Sequence, residues 1–235
     1  NKRYGIDVET VLMGVSGLPD TSPSLQVASE SYTEYLDKWL TKYFKGKENC
    51  SSFRTSKALG TIHDGAVDII IATRLPHLDY SKVKDIKFAH RLCMSAENIA
   101  GSLLEEYLAD KIGDFGWFCC WGETAKSIDF VHTSGAMLQV KNSDNSENSS
   151  SKAIRDKTNI KHWFRRFSKT GKTNWHAIND LLKLNNEEDH LSEPDYLKFI
   201  EKTIEIKKGI FQIPFYFVKR KASPFSSYRL FFYYS

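Results

Sequence analysis

The distribution of hydrophobic residues predicts a mixed α/β fold, a central sheet flanked by helices, and three observations carry that prediction. Helical periodicity dominates the first hundred or so residues, a cluster of short strand-like runs follows between Trp117 and Lys141, and helical patterns return before an aromatic C-terminal stretch. Helices, strands, helices and strands in that order argue against the regular alternation of a doubly wound sheet.

Each element follows from its local pattern. Residues 1–20, with Gly14, Gly17 and Pro19, read as loosely ordered chain leading into a helix. From Ser24, the residues Leu25, Val27, Tyr32, Tyr35, Leu36, Trp39, Leu40, Tyr43 and Phe44 recur at helical spacing, so a helix is expected to end near Gly46. Residues 47–59 are polar and read as a loop, while 66–73 is a short continuous apolar run that suits a buried strand or a helix segment. A helix opens at Ser95, a good N-cap, with Ile99, Ala100, Leu103, Leu104, Tyr107 and Leu108 on one face. Strands are expected at 117–121, 126–132 and 136–141, a Ser/Asn-rich loop at 142–151, and helices at 158–167 and 173–184. Another helix opens at Ser192, with Pro194 and Asp195 in its first turn, and runs to about Ile206. Two aromatic runs, 209–220 and 226–234, read as further strands.

Composition narrows the function. In 235 residues there is no run of the roughly 20 apolar residues that span a bilayer, and the opening residues lack the apolar stretch of a signal peptide, so a cytoplasmic protein with no membrane partner is expected. Cys50, Cys93, Cys119 and Cys120 show no C-x-x-C spacing, and Cys119 and Cys120, flanked by Trp and Phe, read as reduced, buried apolar residues. The net charge is only +4, yet residues 152–172 hold eight Lys/Arg against one acid, Asp156, which leaves the rest of the chain mildly acidic. Such a localised basic stripe suits a phosphate backbone, because concentrated cations release counterions from one DNA face.

The chemistry concentrates in a hairpin. Thr133-Ser134-Gly135 is a three-residue loop in which Gly135 is free to take positive φ, and that loop length sets Asp129 opposite Gln139. Gln139 and Lys141 project to one face because strand side chains alternate, so Asp129, Gln139 and Lys141 converge on one patch. A carboxylate, an amide oxygen and the carbonyl of Val140 are hard oxygen ligands suited to Mg²⁺. The cation lowers the pKa of a bound water and offsets charge developing on phosphorus, and Lys141 is placed to orient or deprotonate the attacking water.

Leu138-Gln-Val-Lys-Asn-Ser-Asp-Asn-Ser-Glu-Asn-Ser-Ser-Ser resembles the stretch that type II restriction endonucleases carry after the catalytic lysine. With Asn98-Ile-Ala-Gly-Ser-Leu-Leu-Glu-Glu-Tyr-Leu upstream and Trp163-Phe-Arg-Arg downstream, the chain is most similar to the SinI/AvaII family over about residues 97–182. The resemblance implies a PD-(D/E)XK nuclease core at about 95–184, within a single 1–235 domain that has an N-terminal helical extension at about 1–90. It also implies a homodimer making Mg²⁺-dependent breaks in double-stranded DNA at a GGWCC-like site, with a cognate methyltransferase as a separate protein. Gln139 departs from the pattern, which has an acid two residues before the lysine. The Gly101-Ser-Leu-Leu-Glu pattern resembles the superfamily's helix motif and nominates Glu105 as the assisting acid, with Glu97 and then Glu106 as alternatives; helical geometry puts Glu97 nearer the apolar face.

For DNA contact the candidates are Asn142, Ser143, Asp144, Asn145, Ser146, Asn148, Ser149, Lys152, Arg155, Lys157, Lys161, His162, Arg165, Arg166, Lys169 and Lys172. The amides suit adenine, the arginines suit guanine or phosphate, and the pairs Lys161/Arg165 and His162/Arg166 are each four apart, on one face if that segment is helical. Trp163 reads as core. Two rival functions share these features: a non-catalytic DNA-binding module, which would not need Asp129, Gln139 and Lys141 to converge, and a repair nuclease of low specificity, which would not need a dimer.

Overall fold

A computed structural model describes residues 5–17, 32–50, 64–145 and 158–206. Six α-helices and four strands lie within these ranges: α1 (Ile6–Ser16), α2 (Tyr32–Glu48), α3 (Gly65–Arg74), α4 (Tyr80–Ile112), β1 (Trp117–Cys119), β2 (Phe130–His132), β3 (Met137–Ser143), β4 (Lys161–Arg166), α5 (Trp175–Leu182) and α6 (Glu193–Ile206). The strands form one sheet in the order β1-β2-β3-β4, antiparallel at the first two junctions and parallel at β3/β4. A mixed sheet flanked by helices is the predicted class.

Helices cover both faces of the sheet. Leu104, Tyr107, Leu108 and Ile112 of α4, at the spacing of one helix face, pack with Phe130, Leu138, Val140 and Trp163 of the strands and with residues of α5 and α6. Against the other face, Val8, Val11 and Val15 of α1 and Trp39, Leu40 and Tyr43 of α2 pack with Ile128, Val131 and Ile160. The buried core therefore extends beyond 95–184, since α1, α2 and α6 all contribute to it.

Several local expectations are corrected. The segment 6–16 is a regular helix, because Val8, Val11 and Val15 form an apolar stripe at i, i+3 and i+7. The run at 66–73 belongs to α3, whose residues are not buried, so its apolar character reflects no core position. The fourth helix opens at Asp79, whose carboxylate accepts from the Lys82 amide at 3.0 Å, and Ser95 is interior to it. That start is hidden because the first half of α4 is largely exposed and shows no core-facing period. The predicted helix at 158–167 is instead strand β4. The expected strands at 209–220 and 226–234 lie outside the described residues, as does most of the predicted loop at 142–151.

Gly46 does not end α2; it lies inside the helix, where α2 meets the turn at Gly122. A Cβ on Gly46 would sit 2.2 Å from the Gly122 nitrogen and 2.3 Å from its Cα, so only glycine permits this approach of two backbones. Gly46→Ala is expected to cost about 2–3 kcal/mol by overpacking, measured by urea denaturation. A loss below about 0.5 kcal/mol would show that the turn moves aside freely.

Candidate active site

The hairpin forms as its residues require. Gly135 has φ +84°, its amide donates to the His132 carbonyl at 2.8 Å, and the His132 amide donates to the Ala136 carbonyl at 2.8 Å, closing the three-residue loop. The His132 ring stays in the turn, with Nδ1 on Ser134 at 2.7 Å and Nε2 on the Phe115 carbonyl at 3.0 Å. From the tip, Val131 pairs with Met137 and Phe130 with Leu138.

One further step along the ladder reaches Asp129, and there the pairing is bulged. The Asp129 amide donates to the Leu138 carbonyl at 2.9 Å, although the Cα partner of Leu138 is Phe130, so two residues of the β2 side face one of β3. Simple opposition of Asp129 and Gln139 is thus modified: the carboxylate reaches along β3, and its Oδ2 accepts from the Val140 amide at 2.6 Å. In an extended strand the N–H and C=O of one residue leave on the same edge. The Val140 carbonyl therefore opens toward Asp129 as well, which brings two hard oxygen groups together.

Electrostatics follow from this enclosure. Burial pushes the Asp129 carboxyl above the ordinary carboxylate range, opposed by the Val140 amide and the Lys141 ammonium, which pull it down. Lys141 is therefore close enough for its charge to act on Asp129. Gln139, with 1% of its surface exposed, is among the most buried side chains of the described residues. The thiols of Cys119 and Cys120 are pushed up by burial and by the charges of both Glu105 and Asp129, so they are free, protonated and inert.

That shared influence separates the three candidate acids on α4. Glu105 is half-buried and acts on the same two thiols as Asp129. Glu97 is exposed, contrary to its position near the expected apolar face, and lies eight residues earlier, about 12 Å along the helix axis. Glu106 lines a cavity of about 640 Å³ together with Asp7, Tyr43, Asp110, Trp117 and Phe199. No cluster of three His, Cys, Asp or Glu able to hold a metal occurs among the described residues. The oxygen donors gathered here are the buried Asp129 carboxylate and the Val140 carbonyl, with the Gln139 amide next to Val140 on the same strand. These are hard donors of the kind a cation such as Mg²⁺ takes, and positive charge there would offset the cost of an ionised, buried Asp129.

Strand β4 rearranges the predicted DNA contacts. It runs parallel to β3 with Gln139 opposite His162, Lys141 opposite Phe164 and Ser143 opposite Arg166, so these six residues share one face of the sheet. Burial falls along that face from Gln139, which is enclosed, to Arg166, which is exposed. The helical pairings of Lys161 with Arg165 and of His162 with Arg166 are replaced by strand alternation. On the opposite face Trp163 is 2% exposed, as expected of a core residue, with Nε1 donating to the Asn174 carbonyl at 2.8 Å.

Arg165 also points inward, which removes it from the basic surface. Its guanidinium pairs with Glu193, donates through Nε to Asn142 Oδ1 at 2.9 Å, and stacks 5.1 Å from the Tyr196 ring centroid. Asn142 is thereby committed too. Asp144 is exposed, and its carboxylate, which accepts from the Ser168 amide at 2.8 Å, is held below the usual carboxylate range by hydrogen bonds from the Ser168 side chain and then from its amide. Lys161, Arg166, Lys169, Lys172 and Asn145 are exposed, and Ser143 lies half-buried beside Arg166. Ser146, Asn148, Ser149, Lys152, Arg155 and Lys157 lie outside the described residues.

Glu193→Ala is expected to cost about 3 kcal/mol, because it strands the buried Arg165 charge and also removes the acceptor of Trp175 Nε1. Chemical denaturation measures it, and a cost under about 1 kcal/mol would mean that solvent reaches the guanidinium.

Comparison with known proteins places the chain in a family. The profile of the SinI restriction endonuclease family matches residues 18–206. The type II restriction enzyme Eco47I of Escherichia coli is 42% identical over 146 residues, and the type II restriction enzyme SinI of Salmonella infantis is 41% identical over 148 residues. Each match covers 60% of this chain and 61% of the relative, so the chain spans less than two thirds of either protein. With the match to the family profile running from α2 through the hairpin and β4 to α6, the chain belongs to the SinI restriction endonuclease family.

Proposed function

We propose that the protein is a type II restriction endonuclease, one nuclease domain over residues 1–235 that acts in the cytoplasm as a homodimer and hydrolyses phosphodiesters of double-stranded DNA at a GGWCC-like site. The observation that carries this reading is the Asp129 carboxylate held on the Val140 amide at 2.6 Å, within electrostatic reach of Lys141 and beside the buried Gln139. Relatives named as type II restriction enzymes support the reaction class and the DNA substrate.

In this reading Asp129, Gln139, the Val140 carbonyl and Glu105 hold Mg²⁺, which when bound supplies a Lewis acid for the phosphate and a water of lowered pKa. Lys141 hydrogen-bonds the attacking water, orients it in line with the scissile bond, and stabilises the charge that accumulates on the phosphoryl oxygens. Gln139 carries no charge, so Glu105 supplies the second negative group that a carboxylate at 139 would have provided. The exposed Arg166, Lys161, Lys169 and Lys172 suit backbone phosphates, and Ser143 and Asn145, with the candidates Ser146, Asn148, Ser149, Lys152, Arg155 and Lys157, complete the DNA-contacting set. His162, first nominated for DNA contact, belongs beside Gln139. A separate methyltransferase protects the same sequence.

Incubation of the protein with unmethylated plasmid and genomic DNA, in Mg²⁺ or in EDTA, tests the proposal. Discrete fragments that require the cation, with ends mapping to one sequence, are expected. A smear would point to a nuclease of low specificity, and intact DNA retarded in a gel would leave a binding module.

A further inference from the structure

Gln139 sets a problem that the acid it replaces does not have. A carboxylate is symmetrical, so either oxygen serves a cation. An amide is not: half a turn about its terminal torsion exchanges an acceptor oxygen for a donor NH₂. With the wrong group forward, the site would point positive hydrogens at the ion. A site that uses Gln139 needs a neighbour that selects one orientation.

The parallel pairing of β3 and β4 supplies the neighbour. Gln139 and His162 are Cα partners, so their side chains leave the same face of the sheet on strands about 4.8 Å apart. Gln139 is 1% exposed and the His162 Nε2 is shut off from solvent, which places both side chains in an enclosed stretch of that face. On the other side of Gln139, the Asp129 carboxylate lies against the Val140 amide. A neutral imidazole carries one acceptor nitrogen.

We infer that His162 is a positioning residue, which accepts at Nδ1 a hydrogen bond from the Gln139 NH₂ and so turns the amide oxygen toward Asp129 and the Val140 carbonyl. This rests on the reading that Gln139 belongs to the cation's donor set. It gives β4 a second role besides extending the sheet, because the strand that carries Arg166 to the surface also orients a ligand inside.

A double-substitution cycle tests it, using the full chain and calorimetric titration with Mg²⁺ alone. The members are wild type, His162→Ala, Gln139→Glu and the double variant, and His162→Asn retains an acceptor oxygen. His162→Ala is expected to weaken Mg²⁺ affinity about tenfold with Gln at 139, and to change it less than about twofold with Glu there, because a carboxylate needs no orientation. His162→Asn restores most of the affinity. In cleavage assays the His162→Ala loss is recovered by raising Mg²⁺, so the apparent KM for the cation moves while kcat at saturation does not. Equal weakening in both backgrounds, or none with Gln at 139, would overturn the positioning role while leaving the nuclease reading intact. Absence of Mg²⁺ binding by both wild type and Gln139→Glu would overturn the donor set and this inference with it.

Discussion

Lys141→Ala is expected to lower the rate of DNA cleavage by about three orders of magnitude, with little change in folding or in DNA binding. The size follows from the two tasks assigned to one ammonium, since proton transfer and charge stabilisation at a transition state are each worth about 10²-fold or more. Folding is spared because β3 is held by β2 on one side and by β4 on the other, and the backbone pairings do not involve the Lys141 side chain. Removing the ammonium also removes a charge that pulls the Asp129 carboxyl down, so that group becomes harder to ionise. Single-turnover cleavage at saturating Mg²⁺ measures the effect, and a gel shift in Ca²⁺ checks that DNA is still bound. A variant cutting within about tenfold of wild type would take Lys141 out of the reaction.

Asp129→Asn is expected to reduce cleavage by on the order of 10³-fold and, without added metal, to make the protein more stable at neutral pH. The two effects share a cause. In the folded chain burial raises the Asp129 carboxyl above its unfolded value near 3.9. As pH rises from about 4, the unfolded chain loses this proton first, so folding stability falls until the folded group ionises too, and the variant, which has no such proton, is spared that fall. Asparagine removes the ionisation while its carbonyl oxygen still accepts from the Val140 amide. Thermal unfolding in EDTA should show a melting temperature several degrees higher for the variant at pH 7, with the difference closing toward pH 3. Saturating Mg²⁺ should stabilise wild type more than the variant, by mass action on the folded state. A variant less stable than wild type at pH 7 would mean that the carboxylate contributes net stabilisation through its hydrogen bond.

The sequence by itself determined the parts of this protein that are local. The loop Thr133-Ser134-Gly135, with the glycine at φ +84°, sets the hairpin and brings Asp129 beside β3, since turn chemistry acts over a few residues. The apolar period of α4 from Leu103 onward, the core position of Trp163 and the reduced, buried Cys119 and Cys120 were legible for the same reason. Tertiary structure alone decided which neighbours each segment meets. Residues 161–166 look helical because Trp163 and Arg165 both face inward, and a buried arginine breaks the alternation of apolar and polar residues that marks a strand. Its burial depends on Glu193, Asn142 and Tyr196, two of which lie 28 and 31 residues further along the chain, and no local pattern announces such a partner. The register that sets His162 against Gln139 is equally remote, because parallel pairing is specified by what packs on both faces of the sheet and not by a turn. The bulge at Asp129, the separation of Glu105 from Glu97 and Glu106, and the close approach that needs glycine at 46 are likewise consequences of packing between distant segments.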